Sequence, residues 1–400
     1  MVGLLGLVVV AVAPVAGTIG IVASCCLVLA VVVATAIATG GLVCLWRDKK
    51  IQSGTPDPVG LSLNAIPSGG FWATMGLRPL LGPAPRPGDL VEIRSLSEIR
   101  STLDADSALD GLPFMSEMSA YCGHTFRVHR CVDKIYDMRH KTGMRRLSDT
   151  LSLAAVRCDG ASHDGCQAGC QLLWKNAWLR RLPAGTKDEL ITAVVGSAVS
   201  EGSTVASDRY ICQMTRLWEA SEPMSRFDVR QDMRPLIWGN VSPGTFFLVV
   251  LTRLFNAFQL FRSGIEFPFM PDRLSVDLPA VATLPSLAPG QDVVVQDRVH
   301  ICQTLVNNKT KGLWYDRDMV RYCGNASVVE RGVDHLIHEG TGEMVTIKTP
   351  CWILRNMTAT GEFHRLCPQH EHIFWREAWL RLPPAPNKSP IGTKDLGYDR

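Results

Sequence analysis

An internal repeat constrains this chain more than any other feature. PGDLVEI around Gly88 returns as PGQDVVV around Gly290, and IRSTL at Ile99 returns as ICQTL at Ile301, both 202 residues later. GLPFMSEM from Gly111 returns as GLWYDRDM from Gly312, YCG at Tyr121 as YCG at Tyr322, and WKNAWLR from Trp174 as WREAWLR from Trp375, each 201 residues on. Five landmarks in one order at nearly constant spacing point to a duplicated module of roughly a hundred residues. Copy one covers 88–182 and copy two 287–383; a connecting region, 183–286, joins them, and a tail, 384–400, follows.

Each copy opens on a Pro-Gly turn and alternating residues, Leu90–Ile93 and Val293–Val295, which read as strands. Phe126–Val128 and Val328–Val329 follow the YCG turns in the same way. Short strands around such turns suit a small β-rich module, with an SH3-like barrel as the expected topology. Leu172, Leu173, Trp174, Ala177, Trp178 and Leu179 fall near helical spacing, so each copy is expected to end in an amphipathic helix. In the connecting region, Thr186–Val199 reads as helical and Ser225–Asp228 as a capping box. Ser242-Pro243 fits an N-cap followed by proline at the first helical position. The apolar run after it, Phe246 to Phe261, is interrupted by Arg253, with Arg262 just beyond; it reads as a core helix or one lying in a membrane interface, not a second full span. The expected class is α+β.

The first 46 residues carry no charged side chain, and Gly17–Trp46 is longer than the roughly 20 apolar residues a spanning helix needs. No positive n-region precedes the apolar run, so a secretory signal peptide is rejected. Segment 1–50 is therefore read as a membrane anchor. Arg47, Lys49 and Lys50 directly after the span favour a cytoplasmic body at the cell membrane. Residues 51–87, rich in Pro and Gly, read as a linker holding the body off the bilayer, and the body from Gly88 is expected to be soluble once the first 46 residues are removed. A net charge of +3 with no dense basic patch argues against a nucleic-acid partner.

Of the 13 cysteines, Cys25, Cys26 and Cys44 lie in the apolar segment and need no explanation beyond small hydrophobic side chains. Cys158, His163, Cys166 and Cys170 form C-x4-H-x2-C-x3-C, broken by Gly160, Gly165 and Gly169. Three thiols and an imidazole around tight turns suit zinc, with iron–sulfur chemistry a weaker fit. Buried thiols and a disulfide remain the alternatives. Cys122 joins the set if YCG packs against this loop. Copy two keeps His364 and Cys367 but has Ala359 and Glu371 at the other two positions, so it is expected to hold little or no metal. The pairs Cys122/Cys323 and Cys166/Cys367 fit structural thiols equally well.

Trp174, Trp178, Trp375 and Trp379 read as core anchors. Glu117 and Asp318 are equivalent acids and read as caps or solvated charges. No phosphate-binding glycine loop, nucleophile elbow or H-E-x-x-H stretch is present. The sequons at Asn240, Asn308, Asn325 and Asn356 matter only in a glycosylating lumen.

GLPFMSEMSAYCG, RCDGASHDGCQAGCQLLWKNAWLR and CPQHEHIFWREAWLR resemble an uncharacterised family of bacterial two-copy proteins, over roughly Gly88 to Leu382. The resemblance implies the architecture and no activity. Duplication without a catalytic constellation favours a membrane-anchored binding or scaffold protein with a protein partner. The alternative is a metal- or thiol-dependent enzyme built on Cys158, His163, Cys166 and Cys170. A catalytic zinc would leave one position open to water, so one of the four would not be a ligand.

Overall fold

The computed structural model describes residues 18–65, 84–183, 186, 209–270 and 287–384. Met1–Ala13, most of Thr186–Val199, the prolines between Pro67 and Pro83, and nearly all of the tail lie outside the described residues.

The alternation after the Pro87-Gly88 turn forms β1 (Leu90–Ile93), with Val91 and Ile93 fully buried. Ser95 and Glu98 then close a capping box on the short helix α3 (Leu96–Arg100). A small hairpin follows, β2 (Ala108–Leu109) with β3 (Leu112–Pro113), and then a 3-10 helix at Ser116–Tyr121. β4 (Thr125–Cys131), β7 (Thr150–Arg157) and β8 (Gln171–Lys175) make an antiparallel meander, and the hairpin β5 (Lys134–Tyr136) with β6 (Met144–Arg146) lies between β4 and β7 in sequence. A 3-10 turn at Asn176–Trp178 returns β9 (Leu179–Arg181) to β1. The sheet order is β8-β7-β4-β1-β9.

The later segment follows the same course. β11 (Asp292–Val295), α7 (Arg298–Thr304), the hairpin β12 (Lys309–Thr310) with β13 (Leu313–Trp314), a 3-10 helix at Arg317–Tyr322, β14 (Ala326–Gly332), the hairpin β15 (His335–Ile337) with β16 (Met344–Thr346), β17 (Cys351–Thr358), β18 (His372–Arg376) and β19 (Leu380–Arg381) succeed one another. The sheet order is β18-β17-β14-β11-β19. Register breaks fall at Val128/Arg130 and Ser152/Arg157 in the first sheet and at Val329/Arg331 and Ile353/Thr358 in the second.

The four tryptophans are fully buried. Trp178 donates to Thr102 and stands edge-on to Phe114 at 5.3 Å; Trp379 donates to Thr304 and meets Tyr315 at 5.2 Å. The amphipathic helix expected at the end of each copy is not formed. Gln171–Lys175 and His372–Arg376 are strands, each followed by a 3-10 turn. All five residues of β8 are buried, Gln171 and Lys175 included, and a segment buried on every side does not separate helix from strand by period. Tertiary contacts decide: Gln213 in α4 (Gln213–Arg216) accepts from Leu173 N and donates to Leu173 O, so its side-chain amide seals the free edge of β8 as a neighbouring strand would.

In the connecting region, β10 (Glu222–Pro223) adds to β6. Ser225 does not cap a helix: α5 spans Arg230–Trp238 with Val229 at its N-cap, and Asp228 receives the Arg230 N–H beyond a turn at Ser225. Ser242 does cap α6 (Pro243–Phe261), accepting from Thr245 N.

α1 (Thr18–Gln52) is long and apolar enough to cross a membrane. Its end does not hang free. Gly40 packs on α6 so closely that a Cβ there would overlap the Leu251 carbonyl. Arg47, expected as an interfacial charge, is fully buried: it pairs with Asp57 at 2.7 Å and Glu362 at 2.6 Å and donates to Thr252. Arg321 also pairs with Glu362. Part of the expected spacer packs down as well, since α2 (Pro58–Asn64) buries Val59 and Leu63 against Phe246, Val249 and Leu366.

Candidate metal centre

The loop from Cys158 to Cys170 joins β7 to β8. Its first turn requires glycine: Gly160 has φ +77°, and a Cβ there would overlap the Cys166 backbone. His163 N and Gly165 N both donate to Gly160 O, Cys166 N donates to His163 O, and Cys158 N donates to Cys170 O at 2.9 Å. Ser116 donates to Ser162 at 2.8 Å and ties the loop to the Ser116–Tyr121 3-10 helix. That helix delivers Glu117.

One ligand atom each from Glu117, Cys158 and His163 lies within 4.8 Å of the others, so the cluster can hold a metal ion. Cys158 Sγ stands 3.5 Å from Glu117 Oε1, and His163 Nδ1 stands 3.9 Å from the same oxygen. Glu117 is only 4% exposed, and its second oxygen has no hydrogen-bond partner. A buried carboxylate oxygen left in this way is costly, and a cation would relieve it. Burial, and then the charge of Glu117, push the Cys158 thiol well above its ordinary value. Binding a metal there must expel that proton.

Of the residues singled out in the sequence, Cys158 and His163 come together. Cys166 and Cys170 line the same cavity but lie outside the close group. Cys166 Sγ instead accepts the Ile337 N–H at 3.4 Å, and Cys367 Sγ accepts the Tyr136 N–H at 3.3 Å. Each thiol thus grips the β5 or β15 strand of the opposite half, which accounts for a cysteine at both positions without metal. Cys122 does not reach the site; it is directed at Met118 O. Glu117 is neither a cap nor solvated. Its signal in the sequence was the recurrence of an acid at Asp318.

The cavity encloses about 410 Å³. Cys212, from the connecting region, faces it beside Cys158 and Cys170, held by the anchored Gln213. Glu371 and His372 close it from the second half. Burial pushes Glu371 up to about 8, with Arg157 opposing the effect and Glu339 adding to it. Burial and the nearby Arg157 and Arg331 hold His372 down at about 3, leaving it neutral. The positions 201 residues after this cluster are built differently. Asp318 accepts Thr360 N and Gly361 N, His364 pairs with Asp316 at 3.2 Å, and Ala359 offers no ligand.

Set against protein families, curated proteins and solved structures, the chain matches none.

Proposed function

We propose that this chain is a membrane-anchored binding protein of the cytoplasmic face, built from two copies of an SH3-like module, the first of which carries a zinc ion. The observation that carries the metal reading is the Glu117/Cys158/His163 group with its orphaned carboxylate oxygen. Zinc accepts this mixed oxygen, sulfur and nitrogen set, and a fourth position faces the cavity, where Cys212 is at hand. Iron–sulfur clusters prefer an all-thiolate set and fit less well.

Several features support the duplicated SH3-like reading. The two sheets share one strand order, their register breaks recur 201 residues apart, and in each a 3-10 turn sends the last strand back to the first. The likeness to the uncharacterised bacterial two-copy family belongs to the same proposal. Lys49 and Lys50 keep the charge bias toward the cytoplasm. The Asn240 amide is buried on the Cys131 backbone, where no glycan could be attached in the folded protein.

A second reading, a metal-dependent enzyme, is favoured by one observation: Glu117, Cys158 and His163 border a cavity, so an ion held by these three would have room for water beside it. The test is metal analysis of the full chain purified in detergent. One zinc per chain, lost in Cys158→Ser and Glu117→Gln, is the expected result. Absence of stoichiometric metal together with freely titratable thiols at Cys158 and Cys212 would end the metal reading. Water exchange at the bound ion would favour the enzyme; a closed four-ligand ion would favour the structural role.

A further inference from the structure

α6 is built inside out. Its buried side carries Thr245, Thr252, Asn256 and Gln259 among its core residues, whereas Phe247, Leu254, Phe258 and Phe261 are exposed. Those four positions are spaced seven, four and three residues apart and so form one stripe along the helix. Leu260, 70% exposed, Phe261, 88% exposed, and Ile265, 65% exposed, extend it around the tip. A helix facing water shows the opposite arrangement, with its apolar side turned inward.

The inward polar groups are all employed. Asn256 both donates to Phe267 O and accepts from Phe267 N, and Gln259 donates to Ile265 O at 2.7 Å. They clamp the returning segment against the helix end, so the apolar tip is a built structure. Thr252 accepts from Arg47 of α1. The exposed stripe therefore sits on a helix packed at Gly40 against α1, next to the exposed Leu42, Leu45 and Trp46. Trp46 stands where an interfacial aromatic belongs, at the end of the apolar run.

We propose that α6 lies in the membrane interface beside α1, with Phe247, Leu254, Phe258, Phe261 and Ile265 immersed among lipid acyl chains. The partner is the lipid bilayer itself. Polar groups turn inward because hydrocarbon, unlike water, cannot satisfy them. Arg262 at the tip is exposed, and its aliphatic stem allows the guanidinium to reach the headgroups. This proposal rests on α1 being the anchor.

The full chain, reconstituted in phosphatidylcholine–phosphatidylglycerol vesicles, is reacted with a bilayer-soluble photoactivated carbene reagent and, separately, with aqueous hydroxyl radicals. Modified residues are then located by mass spectrometry. The expected result is carbene labelling of α1 and of 254–265, with radical modification concentrated on Phe227, an exposed aromatic on the body. The double variant Leu260→Asp with Phe261→Asp stays in the membrane through α1 but loses the label at its tip. Labelling of α1 with none at 254–265 overturns the proposal and leaves the anchor standing. No label on either helix overturns both, and a label on 254–265 alone removes α1 as the anchor and with it the placement of α6 beside α1, which overturns the proposal as stated. Native-like radical footprints elsewhere in the double variant show that it has folded.

Discussion

Glu362 is the group whose charge holds the end of α1 to the second half of the body, and replacing it with Gln isolates that charge. Burial alone would raise its carboxyl, but Arg47 and Arg321 beside it bring it down to about 2, against 4.5 for an ordinary glutamate. At about 1.4 kcal/mol per pH unit, that gap is worth about 3 kcal/mol. The value is depressed in the folded state, so this contribution is fully present above pH 4.5 and is lost as the pH falls toward 2. Glu362→Gln keeps the shape but leaves two buried guanidinium groups short of one counter-charge, a loss of roughly 3–5 kcal/mol for a buried pair. Taking the lower figure, the melting temperature in detergent should fall by roughly 4 °C at pH 7 for a chain of this size. The variant should also lose the share of acid sensitivity that the wild type shows between pH 4.5 and 2. Differential scanning fluorimetry across that range, with limited proteolysis at the α1–α2 junction, reads both effects. A variant that melts with the wild type at pH 7 would refute the reasoning, because it would mean that Arg47 finds all it needs in Asp57.

Gly40→Leu should force α1 away from the Leu251 backbone and cost about 1–3 kcal/mol, seen as a lower melting temperature and lost α1–α6 cross-linking. Glu117→Gln should weaken zinc binding at least about tenfold in chelator competition. Metal affinity in the wild type should fall with decreasing pH, because the raised Cys158 thiol must release its proton; pH-independent affinity would exclude that thiol as a ligand. Trp178→Ala and Trp379→Ala should each cost about 3–5 kcal/mol in denaturant unfolding, by similar amounts if the two halves are equivalent.

The parts of the fold that were legible in the sequence rest on local chemistry. Leu90–Ile93 alternates and pairs as a strand, and Ser242-Pro243 caps a helix because both signals act within a few residues. Residues 171–175 carry no periodic signal because QLLWK is buried throughout, its polar ends included, and its state is set by Gln213, 40 residues away. Arg47 was misread for a related reason. A cation after an apolar run looks interfacial until Asp57 and Glu362, 315 residues away, turn it into a core residue. At the candidate metal centre, the short spacing from Cys158 to His163 is visible in the sequence. The recurrence of an acid at Glu117 and Asp318 is visible too, but its place beside Cys158 is not, and Cys212 arrives from a separate segment with no signal. Cys166 drew attention by its neighbours in sequence, yet its partner in space is a strand of the other half.

The burial of Arg47 also bears on how such a protein can be handled. Trimming an apolar terminal helix is the ordinary way to bring such a chain into water, and here the cut would pass through the core. Removing the first 50 residues takes away Cys44 and Arg47, both fully buried, together with Asp48, which pairs with Arg298. Glu362 and Arg321 would be left facing a vacant groove. A shortened chain that aggregates would then report a missing piece of the interior and not a defect in the module. Dissection is better made by charge-neutral exchange within α1 than by deletion, because the end of this helix is part of the interior of the body that follows it.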